Sequence, residues 1–243
     1  MKQSVRLAFR SFTGDLEGAD VPFMYCDILG LVTTGNGNLV DPVSACVGLP
    51  WRWKATDTLA TRDEIASAWH DTKSRQDLKM HGGMAYEAVT GLYLDKQALD
   101  DLFWSRLGQN ETILRNRFPS YDGWPADAQM ALHSMAWAMG PWFRFHNFEH
   151  HALLEEFDGC AAECRIVNGA TKRNKANQLM FENAYHAELA GDDGSVLHWP
   201  GEVSGSITIP APAPAFDETP TSPDCPDARL AAAFYDSTRP TRG

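Results

Sequence analysis

The hydrophobic and polar positions at the start of the chain follow the period of an α-helix. Apolar side chains fall at i, i+3, i+4, i+7 and i+11 and form one stripe, made of Val5, Ala8, Phe9, Phe12 and Leu16. Gly18 follows this stripe, and a glycine in that position commonly ends a helix. We therefore expect an amphipathic helix over residues 4–16, with Glu17 in its last turn.

The pattern then changes to short apolar runs that are separated by glycines. The runs FMYCDIL, GLVTTG and GNLV are rich in β-branched and aromatic residues, which favour strands. A small β-meander is therefore expected over residues 23–40. Residues 43–60 are predicted to be irregular, and Trp51 and Trp53 within them are interpreted as apolar anchors rather than as a sugar-stacking platform.

A capping-box sequence marks the place where the helical pattern resumes. Thr61 and Glu64 have the required spacing, so a linking helix is expected over about residues 61–81. Gly82 and Gly83 would end this helix. Its buried face would contain three residues at helical spacing, namely Ile65, Trp69 and Thr72.

The most apolar helix is predicted over Ala126–Met139. Pro125 opens it and Gly140 ends it, which is the common placement of these two residues at helix ends. Because it has little polar face, we interpret it as the core of a helical region. Further helices are expected to begin after residue 95 and to cover roughly residues 147–166 and 172–190.

The composition of the chain changes after residue 190. Prolines concentrate between residues 200 and 226, in a stretch that includes the run PAPAPAF, and a short apolar patch follows at residues 230–235. This composition predicts a polyproline-type linker or docking arm over residues 191–243. The main folded domain is therefore expected over residues 1–190.

The overall charge restricts the classes of partner. The formal net charge is −11, and an acidic surface argues against a nucleic-acid partner. No apolar run reaches the roughly 18 residues that a membrane-spanning helix needs, and the amino terminus lacks the features of a secretory signal peptide. We expect a protein that is made in the cytoplasm and is delivered elsewhere if its target lies outside.

Three polar residues around the predicted β-meander are suited to glycoside cleavage. This reaction needs a protonated carboxylic acid at the leaving oxygen and a second group on the other face of the sugar ring. Glu17 lies near the negative end of the predicted helix, which disfavours a charged carboxylate and suits a general acid. Asp27 could activate water or stabilise an oxocarbenium ion, and the hydroxyl of Thr33 could hold that water.

The order of these residues resembles that of the phage-type lysozymes, which are glycoside hydrolases that cut peptidoglycan. That family has a helix ending in Glu-Gly, followed by tyrosine, aspartate, glycine, threonine and a Gly-x-Gly. The corresponding positions in this chain are Glu17-Gly18, Tyr25, Asp27, Gly30, Thr33 and Gly35-Asn36-Gly37. The interval from glutamate to aspartate is one residue longer than in the family. It implies an insertion around residues 19–24, or else it places Cys26 in the second position.

The later part of the chain adds to the resemblance. The stretch ALHSMAWAMG at residues 131–140 resembles the buried central helix of the family. FDGCAAE at residues 157–163 resembles a later helix in which a bulky residue and an acid precede a double alanine. Residues 174–183 lie where the family has its terminal helix. The resemblance covers about residues 4–190, apart from an insertion near residues 81–115.

The resemblance implies an α+β, lysozyme-like fold with two lobes. A small β-hairpin lobe over about residues 1–60 would be joined by the linking helix, residues 61–81, to a mostly helical lobe over residues 82–190. The Pro-rich tail, residues 191–243, lies outside the region of resemblance.

The resemblance also implies a reaction. The expected activity is hydrolysis, with inversion, of the β-1,4 bond between N-acetylmuramic acid and N-acetylglucosamine, without a cofactor, by Glu17, Asp27 and Thr33. Some relatives keep only the glutamate and act on the same bond as lytic transglycosylases, which form an anhydro product. Substrate contacts are expected from Tyr25, Asn36, Asn38 and Trp137. Asn38 stands where the family commonly has histidine.

A second motif points to a different class of enzyme. His146-Asn147-Phe148-Glu149-His150 matches H-x-x-E-H, in which His146 and His150 would bind zinc and Glu149 would act as the base. No third-ligand motif follows, and the segment comes soon after Pro141, where a rigid helix is not expected. A His-rich surface segment is therefore the favoured interpretation, and no metal is expected.

A third alternative is a lysozyme-like module that binds the cell wall or a protein partner without catalysis. The presence of Glu17, Asp27 and Thr33 together argues against this alternative. For a muramidase, the expected partner is peptidoglycan, reached in the periplasm or cell wall by an endolysin, a virion lysin or a secreted antibacterial effector. Residues 191–243 are expected to bind a delivery component or particle, and an effector would imply an immunity protein.

Overall fold

The computed structural model describes residues 1–18, 20–167 and 171–203. It is a mixed α+β structure in which helices predominate and the strands form two small antiparallel sheets. The chain divides into two compact units. Residues 13–108 form the first unit, and residues 1–12 together with the chain from residue 109 onward form the second. Within the described ranges, no helix combines the length and apolar character needed to cross a membrane.

The described residues contain eight α-helices and five strands. The helices are α1 (Gln3–Glu17), α2 (Val43–Cys46), α3 (Arg62–Ser74), α4 (Lys96–Arg117), α5 (Ala126–Met139), α6 (His146–Leu154), α7 (Phe157–Glu163) and α8 (Thr171–Leu189). The strands are β1 (Val21–Cys26), β2 (Val32–Gly35), β3 (Asn38–Leu39), β4 (Arg52–Trp53) and β5 (Leu92–Tyr93). Short 3₁₀-helices cover Gln76–His81, Gly83–Tyr86 and Tyr121–Gly123.

Helix α1 has the bounds that its hydrophobic stripe predicted, to within one residue at each end. Val5, Phe9 and Phe12 are buried, which confirms the predicted apolar face. Gly18 follows Glu17 with a φ of 86°, in the left-handed region that favours glycine. The glycine therefore ends the helix directly after the candidate general acid.

The predicted β-meander is confirmed as the antiparallel sheet β1-β2-β3. In its register Tyr25 lies opposite Thr33, and Cys26 lies opposite Val32. Cys26 and Val32 belong to the hydrophobic core of the first unit. Tyr25 is partly buried and also packs against this core, and Thr33, opposite it, is almost fully buried.

Helix α3 begins with the predicted capping box. The side chain of Thr61 accepts a hydrogen bond from the Glu64 backbone, and the Glu64 carboxylate accepts one from the Thr61 N–H at 2.7 Å. The predicted buried face is also confirmed. The helix ends earlier than predicted, at Ser74, where the hydroxyl of the buried Tyr86 donates to the carbonyl of Arg75 at 2.7 Å. The same carbonyl accepts from the N–H of Leu78 at 3.1 Å, so the chain continues from α3 into a 3₁₀-helix.

The stretch predicted to be irregular contains the short helix α2 and the strand β4. Strand β4 pairs with β5, about forty residues further along the chain, so no local pattern could reveal it. Trp51 is fully buried, and its indole N–H donates to the carbonyl of Cys46 at 3.1 Å. Trp51 is therefore an apolar anchor, as predicted, whereas Trp53 is half-buried.

The second unit is built around α5, whose predicted bounds are confirmed. Twelve of its residues are buried, and the helix packs against α8. The single helix predicted over residues 147–166 is wrong, because α6 and α7 are separate helices that pack against each other. The chain turns between them at Glu155, whose φ is 60°.

The start of the predicted tail belongs to the folded structure. Residues 191–203, which we call the strap, bind the second unit through the buried carboxylate of Asp127. This carboxylate accepts hydrogen bonds from the N–H groups of His198 at 2.8 Å and Trp199 at 3.0 Å. The first residues beyond the predicted domain boundary at residue 190 are thus attached to the second unit. The run PAPAPAF and the apolar patch at residues 230–235 lie outside the described residues.

Candidate active site

The candidate general acid lies at the exposed end of α1. Glu17 is the last residue of this helix and is solvent-exposed. The carbonyl of the next residue, Gly18, accepts a hydrogen bond from the Asn36 side-chain amide at 3.2 Å. This bond ties the helix end to the turn between β2 and β3. Two parts of the motif that are distant in sequence are thereby brought together.

Asp27 shapes the turn between β1 and β2. Its Oδ1 accepts hydrogen bonds from the N–H groups of Leu29 and Leu31, both at 2.9 Å. The N–H of Gly30 donates to the Asp27 carbonyl at 2.9 Å, which closes the turn. Oδ2 has no hydrogen-bond partner among the residues that the structure describes. One carboxylate oxygen is thus used to build the turn, and the other is available for chemistry.

The pKa of Tyr25 responds to the charges of both candidate carboxylates. Burial raises the pKa of its phenol to about 12, and the negative charges of Asp27 and Glu17 contribute in the same direction. The positive charge of Arg106 acts in the opposite direction. Both carboxylates are therefore near enough to influence the same hydroxyl group. The phenol remains neutral, and so able to donate a hydrogen bond, at physiological pH.

The side chain of Thr33 is almost fully buried. Its side chain is 4% exposed, and its hydroxyl donates to the carbonyl of Leu31 at 3.2 Å. The hydroxyl oxygen keeps acceptor capacity after that donation. Thr33 lies directly opposite Tyr25, as the sheet register requires.

The turn Gly35-Asn36-Gly37 follows β2. Gly35 and Gly37 have φ values of 58° and 74°, which explains why glycine occupies both positions. The side chains of Asn36 and Asn38 are almost fully buried, and neither carbonyl oxygen has a hydrogen-bond partner among the described residues. These predicted substrate contacts therefore lie beneath the surface of the turn.

Arg106 belongs to the site and was missed by the sequence reasoning. Its guanidinium donates to the carbonyl of Gly37 at 2.7 Å, and its charge acts on Tyr25. Arg106 lies on α4, 69 residues further along the chain than Gly37. Nothing in the local sequence around it indicates this contact.

Trp137 was also predicted to contact substrate. It lies on α5 in the second unit and is 3% exposed. Its ring packs edge-to-face against Phe9, with 5.6 Å between the ring centroids. Its burial and this ring contact give Trp137 a packing role in the second unit.

The HNFEH segment forms the start of α6, contrary to the expectation that no rigid helix would begin at His146. His146 and His150 are one helical turn apart, but Glu149 forms ion pairs with Arg117 at 2.8 Å and with Arg144 at 3.3 Å. In the part of the chain that the structure describes, no three His, Cys, Asp or Glu side chains are grouped to hold a metal ion. The glutamate of the motif therefore serves a structural ion pair.

The first unit thus presents a set of groups suited to acid–base chemistry. The charges of a helix-end carboxylate, a turn carboxylate and a guanidinium all act on one neutral phenol of the sheet. Such a combination can donate a proton, orient water and stabilise positive charge on a sugar ring. No protein-family model matches the chain, and no curated protein matches it significantly.

Proposed function

We propose that this protein is a muramidase, which hydrolyses the β-1,4 bond between N-acetylmuramic acid and N-acetylglucosamine in peptidoglycan. The observation that carries the proposal is the hydrogen bond from the Asn36 amide to the Gly18 carbonyl, which fixes the helix end that bears Glu17 to the sheet whose β1–β2 turn bears Asp27. Two carboxyl groups around one reaction centre are what most glycoside hydrolases use. The resemblance of the motif to the phage-type lysozymes supplies the substrate.

In the proposed mechanism Glu17 protonates the leaving glycosidic oxygen. Its exposed position at the helix end leaves the carboxyl group accessible to a polymeric substrate. Asp27 acts on the opposite face of the sugar ring through Oδ2, while the two N–H groups bound to Oδ1 fix its orientation. Thr33 helps to hold the attacking water. Inversion at the anomeric carbon is the expected result.

The proposal includes a lysozyme-like, two-lobed architecture. The first unit contains the three-stranded sheet and the motif, and the second contains α5 to α8. This division supports a small β-containing lobe and a helical lobe. The unit boundaries at residues 13 and 108 differ from the lobe boundaries that the resemblance implied.

A lytic transglycosylase is the second candidate. Asp27 already stabilises its own turn, because its Oδ1 accepts hydrogen bonds from two backbone N–H groups. If this were its whole role, Glu17 alone would catalyse cleavage. The 6-hydroxyl of the muramic acid would then replace water as the nucleophile, giving a 1,6-anhydro product.

Digestion of purified sacculi tests these assignments. We expect the wild type to release muropeptides that end in reducing N-acetylmuramic acid, and Glu17→Gln to release none. Asp15→Asn, which removes another exposed carboxylate from the same helix, is the matched control and should remain active. Anhydro products would favour the transglycosylase. Chelator-sensitive cleavage of peptide stems would favour the zinc peptidase, and binding without any release would favour the non-catalytic module.

The setting of the activity is part of the proposal. We expect the protein to act in the periplasm or cell wall after release or delivery, as an endolysin, a virion lysin or an antibacterial effector. A docking role is now proposed only for residues 204–243, because the strap already binds the second unit. An immunity protein that blocks Glu17 is the partner expected for an effector.

A further inference from the structure

The turn that carries Asp27 is held from outside by α3 and the 3₁₀-helix that follows it. The carbonyl of Gly30, at the end of this turn, accepts two hydrogen bonds. One comes from Lys73 Nζ at 2.8 Å, and the other comes from the Gln76 side-chain amide at 3.2 Å. Gln76 also donates to the backbone carbonyl of Lys73 at 2.8 Å, which helps to orient the Gln76 side chain.

Lys73 is itself fixed by a carboxylate at the far end of the same hairpin segment. Its Nζ forms an ion pair with Asp41 Oδ2, and Asp41 is mostly buried. The same carboxylate oxygen accepts a hydrogen bond from the N–H of Val32 at 3.0 Å. Lys73 thereby links the turn before β2 to the chain after β3. The ring of Trp69 lies 5.7 Å from Nζ and borders the same cation.

Steric fit adds a second, independent indication of a close-packed turn. Gly30 has a φ of 79°, and a Cβ at this position would lie 2.3 Å from Gln76 Oε1. The side chain of Gln76 therefore covers Gly30 closely. There is no room for a side chain at position 30, and the Gly30 backbone lies close enough for Gln76 to bind its carbonyl.

We propose that Lys73 is a positioning residue for the reaction, which holds the Gly30 carbonyl so that the Asp27 carboxylate keeps its place. This inference rests on the proposed function. The effect of Lys73 on Asp27 is geometric, because Asp41 balances its charge and Gly30 is the group that it touches near the turn. Lys73 does not contact the reacting atoms.

The test compares Lys73→Met with Lys73→Arg. Lys96→Met is the matched control, because Lys96 lies in the same unit with a side chain that is 94% exposed. We expect Lys73→Met to lower kcat at least about tenfold on soluble peptidoglycan chains while KM changes less than about twofold. Arg keeps the charge and can donate to both acceptors, so Lys73→Arg should recover much of the loss.

Amide hydrogen exchange provides a measurement that does not depend on activity. The N–H groups of Leu29 and Leu31 bind Asp27 Oδ1, so their exchange reports whether the carboxylate stays in place. Lys73→Met should accelerate exchange at these two amides about tenfold, which corresponds to the loss of one hydrogen bond. The thermal midpoint shows whether the rest of the unit is intact. If Lys73→Met proves too unstable, Gln76→Ala tests the same turn from the second donor.

The possible outcomes separate the two proposals. Unchanged exchange at Leu29 and Leu31 in the Lys73→Met variant would overturn the positioning role, whatever the activity. An active wild type whose kcat is insensitive to Lys73→Met would overturn it as well. A wild type without any glycan cleavage would overturn the proposed function, and the exchange data would then decide only whether Lys73 holds the turn.

Discussion

Tyr25 lies directly opposite Thr33 across the β1–β2 pair, next to the core pair formed by Cys26 and Val32. Cross-strand neighbours in an antiparallel sheet are close enough for their side chains to interact. The pair thus places a phenol beside a hydroxyl at the point where the charges of Glu17 and Asp27 converge. The ionisation of Tyr25 can therefore report on the whole site.

The first prediction concerns that ionisation. Asp27→Asn should lower the pKa of Tyr25 from about 12 towards 10, because it removes a negative charge that opposes the tyrosinate. Glu17→Gln should lower it less, and Arg106→Gln should raise it. NMR titration of the tyrosine Cζ resonance measures these shifts. Asp15→Asn serves as the control, and an unchanged pKa in Asp27→Asn would contradict the described arrangement.

The second prediction concerns the anchor of the strap. Asp127→Ala removes the acceptor for the N–H groups of His198 and Trp199 and for the Asn183 amide. We expect it to lower the free energy of unfolding by about 3 kcal/mol, because buried donors lose a charged partner. Limited proteolysis should then cleave within residues 191–203. Asp158→Asn, on the exposed side of α7, should leave the strap protected.

The same carboxylate gives a pH dependence. Burial raises the pKa of Asp127 above its ordinary value of 3.8, so the unfolded chain loses this proton at lower pH than the folded protein does. The folded state then binds more protons in that interval, and stability falls as pH rises above 3.8. Asp127→Asn should lack this contribution. Urea unfolding at several pH values measures this. Above pH 3.8, the free energy of unfolding of Asp127→Asn should lack the fall with rising pH that Asp127 contributes in the wild type.

The third prediction concerns His133, which is fully buried and shares a 2.8 Å hydrogen bond with the hydroxyl of Tyr121. Burial lowers the pKa of His133 to about 3, so the unfolded chain binds this proton first as pH falls below about 6.5. The group therefore reduces stability, by up to about 2 kcal/mol at pH 5.

The double variant Tyr121→Phe with His133→Leu removes this titration without leaving a lone buried hydroxyl. Its free energy of unfolding should change less between pH 7 and pH 5 than that of the wild type. Equal losses in both proteins would show that another group causes the acid sensitivity. Chemical denaturation at the two pH values makes the comparison.

The fourth prediction separates structure from metal chemistry at the HNFEH segment. Arg117 is buried beside Glu149, and its guanidinium also donates to the carbonyl of Phe143 at 2.7 Å. Glu149→Gln should destabilise the fold by about 2 kcal/mol, because the buried cation loses its charged partner. Arg144→Gln removes a more exposed ion pair and should cost less than about 0.5 kcal/mol.

If the segment has no zinc role, its two motif histidines are not needed for activity. His146→Asn combined with His150→Asn should leave both stability and glycan cleavage unchanged. Chelator treatment should also leave cleavage unchanged. Loss of activity in the histidine variant would revive the zinc-peptidase alternative.

Local sequence was sufficient where an element is determined by its own period and end residues. The bounds of α1 and α5 followed from apolar spacing together with Gly18, Pro125 and Gly140. The alternation of short β-type runs with glycines likewise predicted the β-meander, although not its register. These features depend on residues that are near one another in the chain.

Contacts between distant segments could not be predicted in this way. Strand β4 needs β5, and Arg106 reaches Gly37 from α4. The residues that hold the Asp27 turn come from α3 and the segment after it, which carry no motif of their own. Composition alone also could not reveal that the strap finds its hydrogen-bond partners on α5 and α8.

The strap has a mechanical consequence. The side-chain amide of Asn183 holds it at two points, by donating to the carbonyl of Gly201 at 2.9 Å and accepting from the N–H of Val203 at 3.0 Å. A force applied to the chain beyond residue 203 would act first on the hydrogen bonds that Asn183 and Asp127 make with the strap. It would reach the end of α8 only after those bonds broke. Shortening the protein after residue 203 would keep this attachment, whereas shortening it after residue 190 would remove the two backbone donors of Asp127 and leave only the Asn183 amide.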